Sequence, residues 1–176
     1  MTVGNHSIAA SAYVEALRAS RVDHFVTVPD WVQWALHARM EAGVDGIREV
    51  MCCNEDQAVT VAAGLTIGGK RPIVVVQNQG LYACVNTIRA IALDARIPTV
   101  FLVGQFGREF SNFGGDPAAS RRNMVRLLEP VLDALDVPCW RLEAAADLRH
   151  IDAAFDAAHA RGGAAALIVG APIAWH

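Results

Sequence analysis

Three short clusters and one glycine-rich stretch carry the residues best suited to chemistry. Asn54, Glu55 and Asp56 follow an apolar run at 47–51 and open a segment of helical character. A carboxyl at such a point can serve as a general acid or base; equally, acids in a first turn complement the helix dipole while Asn54 caps it. Asn78, Gln79 and Gly80 follow the run 73–77, where amides either bond a ligand or satisfy their own turn. Pro29, Asp30 and Trp31 follow the run 24–28. Trp31, with Trp34 three residues on, suits a pocket wall, a core or an interface. Arg108 stands in the stretch 104–120, which holds four glycines and a proline, and Arg121 and Arg122 close it. Cations opening a helix are slightly unfavourable unless an anion is bound there or nearby acids such as Glu129 pair with them.

The elements that must position these residues alternate along the chain. Six β-type runs lie at 24–28, 47–51, 73–77, 99–103, 139–142 and 166–169, most of them continuously apolar, as strands buried on both faces are. Helical patterns fill the intervals. The first starts at Ser7 as N-cap, with Ile8, Ala12, Ala16 and Leu17 on one side, and others cover 32–41, 56–66, 81–93, 122–135 (interrupted or restarted at Pro130) and 147–159. This order predicts a single domain over 1–176 of the α/β class: three layers, with a six-stranded, mostly parallel sheet and helices on both faces. In such folds ligands sit beyond the carboxyl ends of the strands, where all the clusters above fall. A stretch as long as 104–120 inside a compact domain is functional or mobile.

Several chemistries lack their signatures. The first strand runs into VTVPDW, so no GxGxxG phosphate cradle follows it, and there is no GxxxxGK[ST] or GxSxG motif. Gly68-Gly69-Lys70 reads as a helix C-terminus with a glycine cap and a terminal cation. The four cysteines, Cys52, Cys53, Cys84 and Cys139, form no CxxC pair and read as small apolar side chains, so a metal site is not expected. A net charge of −3 argues against nucleic acid. The apolar fraction of 53 % and mean hydropathy of +0.28 suggest a surface covered by a partner, yet the apolar runs are too short for a membrane span. The first residues lack the basic start of a secretory signal, and the expected compartment is cytoplasmic.

The segment Glu55-Asp56-Gln57-Ala58 … Ala62-Ala63-Gly64 … Gly69-Lys70-Arg71-Pro72 resembles the pyrimidine-binding (Pyr) domain of thiamine-diphosphate enzymes. There a glutamate opens the helix after the second strand, and a small-residue run ends in Gly and a basic residue. Gln77-Asn78-Gln79-Gly80, followed by Asn86, is similar to the QNSG…N turn of the sulfopyruvate and phosphonopyruvate decarboxylases. Val28-Pro29 and Ile97-Pro98 match as well, and the likeness spans roughly 8 to 140. It departs after the fourth strand, where an Arg-Gly pair and a histidine near the substrate give way to Gly104-Gln105-Phe106-Gly107-Arg108 without a histidine.

The resemblance implies that Glu55 is the catalytic residue, its carboxyl sharing a proton with the N1′ nitrogen of the cofactor's aminopyrimidine; such a carboxyl works best shielded from water. It implies cofactor contacts from Pro29, Asn78, Gln79 and Gly80, and substrate contacts from Asp30, Trp31 and Arg108. Asp56 is expected to face solvent or a subunit contact. The cofactor is thiamine diphosphate with Mg²⁺, the metal held by a second chain, a PP-domain beta subunit carrying a GDG…N motif. The assembly is then a heterodimer-based oligomer such as α2β2 or larger, decarboxylating a small 2-oxo acid and inert without its partner. Two alternatives stay open: a carboligase or acyl-CoA lyase on the same cofactor, and a non-catalytic α/β binding or regulatory module.

Overall fold

The computed structural model of the protein describes residues 6–176. Its centre is a six-stranded sheet of β1 (His24–Thr27), β2 (Arg48–Met51), β3 (Pro72–Gln77), β4 (Thr99–Gly104), β5 (Cys139–Leu142) and β6 (Ala164–Val169). The order across the sheet is β2-β1-β3-β4-β6-β5, and every neighbouring pair is parallel. The α/β expectation therefore holds, with parallel pairing throughout.

β3 shows why these strands lack alternation. Ile73 and Val75 point into one apolar cluster with α1 (Ala10–Ala19), α2 (Trp34–Glu41) and α8 (His150–Arg161). Val74 and Val76 point into the other, with α3 (Glu55–Ile67), α4 (Asn78–Ala83), α5 (Val85–Ile88) and α7 (Leu128–Ala134). Successive side chains leave opposite faces of a strand, so helices on both faces demand apolar residues at every position. Each fully buried Val or Ile here contributes roughly 1.5–3 kcal/mol.

Two helix expectations need correction, and a third, the interruption at Pro130, holds. Ser7 does not cap α1: its Oγ donates to the Pro172 carbonyl at 2.6 Å, and the helix starts at Ala10. Ala9 is extended because it pairs with Ala174 in a parallel bridge, which holds the chain straight until Ala10. The helical stretch 81–93 starts earlier, at Asn78, directly on the end of β3, and divides into α4, α5 and a π-helical segment Arg89–Asp94. The helix 122–135 breaks into α6 (Asn123–Arg126) and α7. Pro130 has no N–H for the carbonyl of residue 126, so the helix stops there and restarts with the proline in its first turn.

The stretch 104–120 carries two short 3₁₀ turns, Phe110–Asn112 and Pro117–Ala119, and is fastened internally. Arg108 donates to Asn112 Oδ1 at 2.9 Å, to the Asn112 and Gly115 carbonyls at 3.0 and 2.8 Å, to Gln105 Oε1 at 3.3 Å and to Glu143. The Glu109 carboxylate accepts from Ser120 Oγ at 2.7 Å and from the Arg121 amide at 2.9 Å, contacts that hold its pKa below the ordinary value.

Candidate active site

At the carboxyl edge of the sheet the helix after β2 is built to present one acid. Asn54 Oδ1 accepts from the Gln57 amide at 2.9 Å, and Gln57 Oε1 in turn accepts from the Cys53 amide at 2.7 Å. This reciprocal cap fixes the first turn of α3, so Glu55 leaves the helix in one direction. That direction is toward α4. A β-carbon on Gly80 would lie 2.0 Å from Glu55 Oε1 and 2.2 Å from its Cδ, so only glycine leaves room for the carboxyl. Glu55 itself is half-buried. Burial pushes the neighbouring Cys84 thiol up to about 12, and the Asp56 and Glu55 charges push the same way. Asp56 is exposed and accepts from Thr87 Oγ1, which ties α3 to α5.

Asn78 is fully buried and its side chain is spent. It donates to the Phe106 and Met124 carbonyls at 3.0 and 2.9 Å and accepts from the Gln79 amide at 3.0 Å. It thereby clamps the end of β3 to the stretch after β4 and to α6, a clamp that Tyr82 Oη reinforces at 2.7 Å on the same Met124 carbonyl. The Gln79 side chain, by contrast, is exposed and makes no hydrogen bond among the described residues. Pro29 is exposed on the same edge.

Asp30 turns inward. It is 1 % exposed, and its carboxylate accepts from the Val32 amide at 2.8 Å, Gln33 Nε2 at 2.9 Å and Gln77 Nε2 at 3.1 Å. Burial raises its pKa, and these three donors act in the opposite sense. Its Oδ2 stands 1.6 Å from where a β-carbon on Gly104 would be, a second carboxyl seated on a bare glycine. Gln33 Nε2 reaches on to the Val76 and Leu102 carbonyls at 3.2 and 3.3 Å. The Asp30 amide donates to His37 Nε2 at 3.0 Å, so the His37 proton sits on Nδ1, which has no partner; burial lowers this imidazole to about 4.

Trp31 faces out, packs edge-on to Phe106 with ring centres 6.3 Å apart, and joins Gln105, Arg108, Phe113 and Arg122 around a cavity of about 380 Å³. Arg108 is buried and engaged by the five contacts above, including the Glu143 ion pair. Arg122 makes no side-chain hydrogen bond among the described residues. Trp31, Trp34, Phe110 and Trp175 also line an open, apolar cavity of about 670 Å³ beside it.

Sequence reasoning thus finds Glu55, Gly80, Gln79 and Pro29 at one edge, and brings Asp30 and Asn78 there as internal struts. It misses Gln33, His37 and Glu143, and gives Gln77 only as part of the turn 77–80, without its bond to Asp30. Glu143 immediately follows β5, the position that the strand-end rule singles out; Gln33 and His37 sit three and seven residues after Asp30, a helical spacing. Among the described residues no three His, Cys, Asp or Glu side chains gather to hold a metal, and no helix is long and apolar enough to cross a membrane.

Comparison with known proteins gives the chain its relatives. The family described as thiamine pyrophosphate enzyme, N-terminal TPP binding domain, matches residues 8–126. The chain is also 24 % identical over 130 residues to the sulfopyruvate decarboxylase subunit alpha of Methanocaldococcus jannaschii, covering 74 % of this chain and 73 % of that subunit.

Proposed function

Because the chain belongs to the family of thiamine pyrophosphate enzymes, through their N-terminal TPP-binding domain, we propose that it is the alpha subunit of a heteromeric decarboxylase of a small 2-oxo acid, with Glu55 as its catalytic residue. The observation that carries this reading is the Glu55 carboxyl resting on Gly80 at the carboxyl edge of the sheet. The relative's designation as a subunit alpha supports a partner chain, and its name supports a 2-oxo acid such as sulfopyruvate.

The residues present fit the aminopyrimidine end of the cofactor. A carboxyl held by a capped first turn, with a glycine cleared beneath it, is suited to hold a proton opposite a ring nitrogen. Thiamine diphosphate, when bound, would supply a carbon nucleophile for the 2-oxo group and a sink for the electron pair that CO₂ leaves behind. Glu55 holds the proton shared with N1′ and keeps the aminopyrimidine in its reactive form; such proton transfers contribute typically 10²–10⁴-fold. The exposed Gln79 side chain and Pro29 would contact the cofactor beside Glu55, and Gly80 leaves room for the Glu55 carboxyl. The diphosphate and Mg²⁺ belong to the partner, a PP-domain beta subunit, in an α2β2 or larger assembly in the cytoplasm.

On the substrate side, Trp31 walls the 380 Å³ cavity, and Arg122 is the cation left to meet the anionic end of the acid. Asp30 and Arg108 act on the substrate indirectly, by holding that wall in place. The apolar face of Trp34, Phe110 and Trp175 is the surface the partner covers.

The test is reconstitution. The chain mixed with its PP-domain partner, thiamine diphosphate and Mg²⁺ should release CO₂ from sulfopyruvate or another small 2-oxo acid, and neither chain should do so alone. A reconstituted Glu55→Gln complex with near-normal turnover would refute the assignment, and carboligation products without net CO₂ would redirect it to another reaction of this cofactor.

A further inference from the structure

The opposite pole of the sheet holds a second site. β3 runs six residues from Pro72 to Gln77, so its amino end lies roughly 20 Å from the Glu55 edge at about 3.3 Å per residue. A cavity of about 450 Å³ opens there, and Arg21, Lys70, Arg71 and His159 line it over an apolar floor that includes Pro98 and Phe155.

α1, α3 and α8 all end at this edge, and their negative C-terminal dipoles account for cations collecting near it. They do not account for how those cations are used. The carbonyls at the end of α3 are already satisfied, by the Gly68, Gly69 and Lys70 amides at 2.9–3.0 Å. Arg71 spends only Nε, on the Ser20 carbonyl at 2.7 Å, and lays its guanidinium 4.0 Å over the Phe155 ring. Its two outer nitrogens, and the side chains of Arg21 and Lys70, make no hydrogen bond or ion pair among the described residues. The nearest acids are otherwise occupied or stand off: Asp23 Oδ1 bonds the Arg71 amide and His24, while Asp152 and Asp156 approach Arg71 without an ion pair. Burial and the Arg21 charge hold the Arg71 guanidinium below its ordinary pKa. Arg21 moreover adopts a left-handed backbone at φ 58°, a conformation that disfavours any side chain and here turns this one to the cavity rim.

We propose that this cavity binds a small phosphorylated anion, its phosphates taken by Arg21, Lys70 and the outer nitrogens of Arg71. Guanidinium groups match phosphate bidentately and the ammonium adds a point charge, so three unspent cations around one cavity suit a di- or polyanion. The floor of Phe155 and Pro98 accommodates the organic part.

Inorganic pyrophosphate is the probe. Titrated into the full chain at low ionic strength, it should bind and raise the thermal midpoint. Arg21→Gly removes a cation while relaxing a strained residue, so the fold should not suffer. The Arg21→Gly/Lys70→Gln double variant should bind pyrophosphate roughly tenfold or more weakly. Arg39→Gln, at an exposed cation that does not line the cavity, and Glu55→Gln, at the other pole, should leave the affinity unchanged. An unresponsive wild-type chain, or a double variant that binds as well as wild type, overturns the proposal. So does an equal loss in Arg39→Gln, which would mean diffuse charge, or a changed affinity in Glu55→Gln, which would place the anion at the carboxyl edge.

Discussion

The carboxyl of Glu55 lies where a side chain on Gly80 would begin, with Oε1 2.0 Å from the position of the missing β-carbon. Two elements separated by a whole strand are thereby interlocked through an absence. Gly80→Ala should push the carboxyl out of place while leaving both helices intact. A displacement of about 1 Å can lower turnover roughly 10²-fold. The reconstituted Gly80→Ala complex is expected to show that loss with near-normal circular dichroism; unchanged turnover would show that the contact is dispensable.

Glu55→Gln keeps the shape and removes the exchangeable proton. In the reconstituted enzyme kcat should fall about 10²–10⁴-fold. Since Glu55 takes no part in the cap of α3, the thermal midpoint should move little, and a large drop in stability would mean that the residue is structural.

Both parts of that pair were differently legible in the chain. Glu55 is legible as an acid opening a helix because a strand end, a capping asparagine and an acid coincide within the five residues 51–55, and only the family resemblance singles it out as catalytic. The need for Gly80 is not legible, because it arises from a contact 25 positions away. β3 was readable from IVVV alone, since burial on two faces leaves no other pattern. Arg108 shows the converse: a lone arginine in a glycine-rich stretch suggests a ligand, and only Glu143, 35 residues on, reveals it as a rivet. Ser7 has the right residue type for a cap, but pairing of Ala9 with Ala174 overrides that local preference.

Arg108 and Glu143 form an ion pair whose arginine is all but sealed from water. Removing one member of such a pair costs about 3–5 kcal/mol, because the other is left unpaired. Arg108→Met should therefore destabilise strongly in urea unfolding, and Arg108→Met/Glu143→Leu should recover much of the loss. An additive double variant would deny the coupling.

His37 gives the protein an acid limit. Its imidazole titrates near 4 in the fold, against an ordinary 6.5. As pH falls through 6.5 the unfolded chain takes up the proton and the folded one does not. The contribution is thus complete above about 6.5 and lost progressively down to about 4, where the loss amounts to about 3 kcal/mol. His37→Gln, which can still accept from the Asp30 amide, should flatten the stability profile across that window, as measured by denaturant midpoints at each pH. An unaltered slope would assign the acid limit to other groups.

The strand order carries a consequence for how the chain comes off the ribosome. β1, β2, β3 and β4 pair only among themselves and with β6, so the half of the sheet bearing Glu55 can assemble while the rest is still being made. β5 has no such option: its sole neighbour, β6, is synthesised after it and must slide in between β4 and β5. Until then β5 has a bare edge and β4 an unfilled one. β6 is the keystone, and the nascent chain is most open to mispairing just before Ala164–Val169 arrives.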